Sequence, residues 1–435
     1  MKILTNNSPV SMSDIKQLWE ENISYKSRLV EVLKNGGYEE PEASLNLPSD
    51  DSLLDQVKAL KNKFESSKLK YILDIGIGGS NLGTKAVYDA LFGYFDLIEP
   101  GRSPKIIFLD TVDPEFLDKL SKFLETVSEE EILVNAISKS GGTTETTANL
   151  EIVLAVLKNR FENPNSRVVI TTDFESKLWN KARELGIETL SIPKTVGGRY
   201  SVFSTVGLFP LSFLIDIEEL RQGARDAIAT AINTDIAESS NAFVSAAVLF
   251  LSSKSGLRIN DNFFFHPELE SIGKWYRQLM GESIGKEENL SGEKVFAGIT
   301  PTVSIGSTDL HSVGQLYLGG PKDKITTFVS AEKREVSVSV PENLTMPGLV
   351  EHIQGKNAAE IMGAILQGVK IAYQKKDRAF MEVLLDDLSV RSLGEFLQFK
   401  MIEMMFLGQL LSVNPFDQPN VEDYKVETKN ILSQP

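Results

Sequence analysis

The sequence lacks cysteine, has only three histidines and contains no long apolar run. Without cysteine the chain can form no disulfide, thiolate nucleophile or cysteine-ligated zinc site. The three histidines stand far apart and form none of the paired-histidine motifs of common metal sites, so a histidine metal site is unsupported. The most apolar stretches, 206–215 and 243–251, are shorter than the roughly 20 residues that span a bilayer.

Positive charge is also scarce. The chain of 435 residues has 60 acidic and 45 basic side chains, which gives a net charge of −15. Because nucleic acid is a polyanion, binding it would require a concentrated basic face, and the lysines are interspersed with acids. The first residues show no apolar segment of a secretory signal. We therefore expect a cytoplasmic protein with no nucleic-acid or membrane partner.

Short apolar segments alternate with segments of helical periodicity over most of the chain. Strands are predicted at 71–76, 105–110, 131–138, 167–172, 263–266, 295–300, 325–330, 336–340 and 380–385. This alternation predicts an α/β fold with mainly parallel sheets that are covered on both faces. We divide the chain into an N-terminal helical segment (1–65), a first lobe (66–215), a second lobe with linking helices (216–405) and a C-terminal segment (406–435).

A glycine-rich loop, 76–83, leads from the first strand of the first lobe into a helix. Ligands of open α/β sheets lie beyond the carboxyl ends of the strands, where this loop is expected. Its glycines are similar to the dinucleotide fingerprint G-x-G-x-x-G, but Asn81 stands where the third glycine would be. Asp110 could still bind a ribose, so an NAD-linked oxidoreductase stays open at this point. The other alternative is a tight turn that only packs the strand on the helix.

The loop 138–146 concentrates five hydroxyl groups, a lysine and two glycines between a strand and a helix. One or two of these hydroxyls would suffice to cap the helix. Several backbone and side-chain donors in one loop can bind a phosphate group without a metal. The order of residues differs from that of a nucleotide P-loop, so a small phosphorylated molecule fits better than ATP.

Four further segments carry polar residues in glycine-rich or turn-forming contexts. They are V-G-G-R-Y-S at 196–201, Q-L-M-G-E-S-I-G-K at 278–286, G-S-T-D-L-H-S at 306–312 and N-P-F-D-Q-P-N-V-E-D-Y-K at 414–425. The glycine pair lets Arg199 project from a tight turn towards an oxyanion. Taken singly, however, a lone arginine more often forms a structural ion pair, and Glu282 could be an ordinary solvated acid.

In this order and spacing, the six segments closely resemble the phosphoglucose isomerase family, from about residue 70 to 427. The resemblance implies two sugar-isomerase (SIS) lobes, each an αβα sandwich, with the active site between them, and a homodimer. The catalytic residues that it implies are Glu282, His311, Lys425 and Arg199. The substrate-binding residues that it implies are Gly79, Ser80, Ser138, Lys139, Ser140, Thr143, Gly198, Gln278 and Gln418.

The resemblance also implies a reaction, the interconversion of glucose 6-phosphate and fructose 6-phosphate in glycolysis and gluconeogenesis. The hydroxyl loop and Ser80 would hold the phosphate, and His311 of the neighbouring subunit, with Lys425, would open the sugar ring. Glu282 would then move a proton between C2 and C1 through a cis-enediolate that Arg199 stabilises. Positive side chains would take the place of a metal ion, so no metal or organic cofactor is expected.

Two residues depart from the family pattern. Asn420 stands where the C-terminal signature has glycine, although asparagine tolerates the left-handed backbone conformation. Lys194 replaces a small or acidic residue. Neither change removes a catalytic group, so activity is still expected. The alternatives that remain are a non-catalytic SIS-type regulator that only binds a sugar phosphate, and an isomerase that also accepts mannose 6-phosphate.

Overall fold

The computed structural model describes residues 1–333 and 336–434. The helices are α1 (Met12–Asn35), α2 (Asp51–Phe64), α3 (Leu82–Leu91), α4 (Pro114–Leu124), α5 (Thr144–Arg160), α6 (Lys177–Glu184), α7 (Thr205–Leu211), α8 (Ile217–Ile232), α9 (Asn241–Lys254), α10 (Glu270–Ile284), α11 (Gly314–Gly319), α12 (Ala358–Lys375), α13 (Val390–Leu411) and α14 (Glu422–Leu432). The strands are β1 (Lys2–Leu4), β2 (Tyr71–Ile75), β3 (Lys105–Leu109), β4 (Ile132–Ile137), β5 (Val168–Asp173), β6 (Glu188–Ile192), β7 (Ile259–Phe264), β8 (Lys286–Glu288), β9 (Lys294–Ala297), β10 (Thr300–Ile305), β11 (Lys324–Ala331) and β12 (Phe380–Leu385).

Two five-stranded sheets organise the described residues. The first has the order β3-β2-β4-β5-β6 and is parallel throughout. The second has the order β1-β12-β11-β7-β10, in which β1 alone runs antiparallel to its neighbour. A short antiparallel hairpin, β8–β9, stands apart. The predicted α/β class with mainly parallel sheets is therefore confirmed.

The central strands are buried on both faces, which explains their uninterrupted apolar sequences. Every residue of β4 is buried, and β2 has only its first residue partly exposed. Local signals fix the helix ends as well: Asp113 caps α4, whose first residue is Pro114, and Ser11 and Asp14 form a capping box at α1. A side-chain oxygen at these positions accepts a bond from a free backbone N–H of the first turn.

A buried polar cluster fastens α10 to the helix α13 beneath it. The carboxylate of Glu403 accepts hydrogen bonds from Tyr276 Oη at 2.5 Å and Lys400 Nζ at 2.8 Å, and all three side chains are buried. The Lys400 ammonium also lies 4.5 Å from the centre of the Tyr276 ring. Because the buried charges are paired, their burial is tolerated, and the orientation of α10 is fixed.

Some strands differ from those predicted. The segment 336–340 forms no strand, and only a single bridge joins Ser339 to Asn357. Its apolar side chains have no sheet to pack on: Val336 is 75% exposed and Val338 is 65% exposed. Four strands, β1, β6, β8 and β10, were not predicted from the sequence. The four-part division of the chain stays a prediction. None of the helices in the described ranges is long and apolar enough to cross a membrane.

Candidate active site

The first two candidate loops meet at a reversal of strand order in the first sheet. The chain passes from β2 to β3 on one side and then returns to β4 on the other side of β2. The glycine loop follows β2 and the hydroxyl loop follows β4, so both lie at the carboxyl edge, next to each other. Such a switch point is where open α/β sheets bind their ligands.

Gly79 lies in backbone contact with the turn that carries Arg199. A Cβ atom on Gly79 would lie 2.1 Å from the carbonyl carbon of Gly198 and 2.4 Å from the Arg199 nitrogen. Only glycine fits there without a shift of the backbone. The adjoining Ser80 is half-buried in the same turn. The geometry therefore shows close packing of two turns, which sets the place of Arg199.

The hydroxyl loop turns its side chains towards one another. The Ser138 and Thr143 hydroxyl oxygens are 3.0 Å apart, and Thr143 directly precedes α5. Ser140 is exposed, and its hydroxyl accepts a bond of 3.4 Å from the Gly142 nitrogen. The loop thus brings hydroxyl groups to the start of a helix, where free backbone N–H groups favour an anion.

Thr172, which was not predicted from the sequence, supports the hydroxyl loop. The Thr172 hydroxyl, fully buried on β5, is 2.6 Å from the Ser138 carbonyl oxygen and 3.2 Å from that of Lys139. The Asp173 nitrogen donates to the Lys139 carbonyl at 3.1 Å. The sequence offered one signal: the strand 167–172 ends in two threonines beside the predicted phosphate loop.

Lys139 is the half-buried cation of the hydroxyl loop. Burial lowers its pKa, Asp173 opposes that change, and Lys194 lowers the pKa further. Burial likewise raises the pKa of Asp173, against the effect of the two lysines. Lys194, which departs from the family pattern, therefore lies close enough to add positive charge beside this loop.

Arg199 is almost completely buried, and protein groups occupy all of its donors. Its Nε donates to Ser283 Oγ (2.9 Å), Nη1 to Gln418 Oε1 (2.8 Å) and Glu282 Oε2 (3.3 Å), and Nη2 to the carbonyl oxygens of Pro415 (2.6 Å) and Asp417 (3.0 Å). A guanidinium group has five N–H donors, so none is left over. Arg199 therefore ties the C-terminal segment to the end of α10.

Glu282 lies in the last turn of α10 with both carboxylate oxygens engaged. Oε2 forms the ion pair with Arg199, and Oε1 accepts a bond of 3.1 Å from Gln278 Nε2, one helical turn earlier. The Glu282 side chain is 27% exposed, whereas Arg199 is buried. The carboxylate is thus held in one orientation and still reaches solvent, as a base for an incoming substrate must.

Hydrogen bonds join Glu282, Arg199, Gln278 and Gln418, and among the described residues no hydrogen bond links His311 or Lys425 to this group. His311 ends a short 3₁₀ turn, Thr308–His311, after β10 and is exposed. Within the described part of this single chain, its ring nitrogens have no hydrogen-bond partner. Lys425 lies on α14, where its ammonium pairs with Glu422 at 2.7 Å. Their catalytic roles stay predictions.

Asn420 does not need the backbone conformation that the family glycine suggested. It lies in a 3₁₀ turn, Pro419–Val421, and is absent from the residues with positive φ. Its side-chain amide donates to Glu287 Oε2 at 3.2 Å. The substitution of glycine is therefore accommodated by an ordinary right-handed turn.

No group of three or more acidic or histidine side chains within residues 1–333 and 336–434 is arranged to hold a metal ion. The expectation that the protein needs no metal stays a prediction.

Comparison with known proteins identifies the family. The family model for phosphoglucose isomerase matches residues 40–435. The chain belongs to the phosphoglucose isomerase family. It is 36% identical to glucose-6-phosphate isomerase of Carboxydothermus hydrogenoformans, over 84% of this chain and 80% of the relative. It is 32% identical to glucose-6-phosphate isomerase of Methanocaldococcus jannaschii, over 98% of this chain and 96% of the relative. Membership of this family confirms that the protein is an enzyme.

Two solved structures share the fold of this phosphoglucose isomerase family member. A hypothetical protein of Thermus thermophilus matches with a TM-score of 0.88 and 31% identity, over 100% of both chains. A glucose-6-phosphate isomerase of Chlamydia trachomatis matches with a TM-score of 0.82 and 22% identity, over 99% of this chain and 88% of that one. The second likeness concerns the fold alone.

Proposed function

We propose that this family member interconverts glucose 6-phosphate and fructose 6-phosphate, with Glu282 as the base. The observation that carries the proposal is the carboxylate of Glu282, held between Arg199 and Gln278 yet open to solvent. Aldose–ketose isomerisation requires one group that removes a proton from C2 and returns it to C1. These carbons are adjacent, so a single carboxylate on one side of the enediolate serves both.

The phosphate of the substrate would bind at the hydroxyl loop. The Ser138 and Thr143 hydroxyls, the start of α5 and the nearby Lys139 supply donors and positive charge without a metal. The phosphate is remote from the reacting carbons, so its binding positions them. Arg199 carries a permanent positive charge beside Glu282 and would stabilise the enediolate through space, since its N–H donors are occupied in this structure.

Ring opening would use His311 from a second copy of the chain, in a homodimer. In support, His311 is exposed and follows β10, the edge strand of the second sheet. Apolar residues on the segment 336–350 are also exposed, among them Met346 at 71% and Leu349 at 76%. Apolar surface of this kind commonly marks an interface between subunits.

The test is the turnover of fructose 6-phosphate in the presence of a chelator, with glucose 6-phosphate as the measured product. Glu282→Gln should lose about 10³-fold in kcat, because the amide cannot accept the proton, while sugar-phosphate binding is retained. Glu270→Gln is the matched control, since Glu270 lies on the same helix and forms an exposed ion pair with Lys274 at 2.7 Å. If the wild type bound the sugar phosphate without turnover, the protein would instead be a regulator. If the chelator abolished activity and a divalent ion restored it, the metal-free chemistry would be refuted.

A further inference from the structure

Lys286 is a buried cation at the junction of α10 and the hairpin β8–β9. It is the last residue of the segment Q-L-M-G-E-S-I-G-K, four positions after Glu282, and its side chain is 5% exposed. A lysine is seldom buried unless it is paired. The partners of Lys286, which lies four residues after Glu282, therefore show which part of the structure this lysine holds in place.

The ammonium group of Lys286 joins the end of α10 to the C-terminal segment. Nζ donates to the Glu282 carbonyl oxygen at 2.8 Å, to the Asp417 carbonyl oxygen at 2.5 Å and to Asp417 Oδ1 at 2.9 Å. Three donors thus meet three acceptors. A cation at the carboxyl end of a helix is also favoured by the helix dipole.

These bonds close a ring around Glu282. The Asp417 carbonyl that Lys286 holds also accepts from Arg199 Nη2, and the neighbouring Gln418 accepts from Nη1. The same Nη1 donates to the Glu282 carboxylate. Loss of Lys286 would remove two bonds to Asp417 and leave the Asp417 carbonyl with Arg199 as its donor, so the segment that partners Arg199 would be less firmly held.

The ammonium group of Lys286 has no free donor with which to contact the substrate. Its three donors are used on backbone oxygens and on Asp417, and the ammonium is buried. Burial lowers its pKa, and the charge of Asp417 opposes that change. Any effect of Lys286 on turnover would thus pass through the groups that it orients.

We propose that Lys286 is a positioning residue that fixes the segment 415–418 over Glu282 and thereby sets the geometry of Arg199 and the base. This inference rests on the proposed function. The Lys286→Met variant keeps a side chain of similar length without the donors. It should lower kcat for fructose 6-phosphate by about 10²-fold, with KM changed by no more than about threefold, because misplacement of a base affects chemistry more than phosphate binding.

Three further variants separate positioning from a loss of folding. Lys286→Arg keeps a cation and should regain at least about a tenth of the kcat that Lys286→Met loses. Asp417 is half-exposed, so Asp417→Asn should disturb the fold less, and its kcat should fall several-fold. Lys294→Met removes an exposed lysine of the same hairpin, paired with Glu287 at 2.8 Å, and should behave as the wild type. The backbone amides of 413–420 should exchange hydrogen faster in Lys286→Met than in Lys294→Met.

Unchanged kcat and unchanged exchange in Lys286→Met would overturn the inference, as would a rate loss in Lys286→Met that Lys286→Arg does not recover at all. A wild-type protein without turnover would contradict the proposed function alone. The exchange measurement would then still decide whether Lys286 holds the segment.

Discussion

Arg199 Nη1 lies 3.3 Å from Glu282 Oε2, in an ion pair whose arginine is buried and whose carboxylate reaches solvent. The same nitrogen is closer to Gln418, at 2.8 Å. Arg199 therefore orients the Glu282 carboxylate and also holds the C-terminal segment beside it. A structural ion pair at Arg199 is therefore compatible with the catalytic role proposed for its charge.

The first prediction concerns the fork shape of Arg199. In Arg199→Lys the charge remains, but three ammonium donors replace five, so at least two acceptors lose their partner. The free energy of unfolding should fall by about 2–4 kcal/mol, since buried carbonyl groups of the 415–417 loop are left unpaired. Denaturant unfolding measures this change, and kcat should fall in the same variant. Arg391→Lys is the control.

Arg391 forms a half-exposed ion pair with Asp226 at 2.7 Å, and its replacement should cost less than about 1 kcal/mol. If Arg199→Lys were as stable and as active as Arg391→Lys, the geometry of the guanidinium would not matter.

Much of the candidate site could be predicted because its residues lie in short local motifs. The glycine loop and the hydroxyl loop follow predicted strands, whose ends can be read from apolar runs and glycines. The strand before Arg199, β6, was not predicted, and Arg199 was found from the motif V-G-G-R-Y-S. Residues distant in sequence, such as Glu282 and Gln418, could be joined only through the family resemblance. The local pattern indicated phosphate binding for the hydroxyl loop, whereas the roles of Arg199 and Glu282 came from the resemblance, and the fold had to bring the loops together.

The residues that were missed act through contacts that no local pattern records. Thr172 supports the hydroxyl loop from the neighbouring strand, and Lys286 reaches Asp417 across 131 positions of sequence. The error at 336–340 has a related cause. Alternating valines favour a strand, but a strand forms only where a sheet edge receives it. These outcomes depend on tertiary packing.

The second prediction concerns Thr172. Thr172→Val keeps the shape of the side chain but removes the donor that lies 2.6 Å from the Ser138 carbonyl oxygen. The hydroxyl loop should lose its support, so KM for fructose 6-phosphate should rise several-fold while kcat changes less. Steady-state kinetics measures both. The control is Thr147→Val, at an exposed position of α5; an equal rise of KM in the control would contradict the interpretation.

The third prediction concerns the buried carboxyl of Asp74 on β2. Burial raises its pKa to about 8, although a bond of 2.7 Å from Asn135 Nδ2 opposes that shift. Because the folded state then holds a proton that the unfolded state releases above about pH 4, stability should fall as the pH rises from about 4 to about 8. The slope is at most about 1.4 kcal/mol per pH unit.

Asp74→Asn should remove this contribution, since the amide does not titrate. Denaturant unfolding between about pH 5 and pH 8 measures the slope in each protein. The exposed Asp118, which pairs with Lys122 on α4, provides the control Asp118→Asn. An identical pH dependence in wild type and Asp74→Asn would show that Asp74 is charged in the folded protein.

The fourth prediction concerns the composition of the proposed site from two chains. Glu282→Gln and His311→Ala should each be inactive as pure proteins. In a mixed dimer, however, the chain with intact Glu282 would receive an intact His311 from its partner, and one of the two sites would be complete. Unfolding and refolding the two variants together at equal amounts should therefore restore about a quarter of the wild-type activity, because half of the dimers are mixed. If both residues of a site came from one chain, every site in the mixture would carry a defect and no activity would return. Refolding each variant alone controls for recovery by any other route, and the wild type refolded in parallel gives the yield.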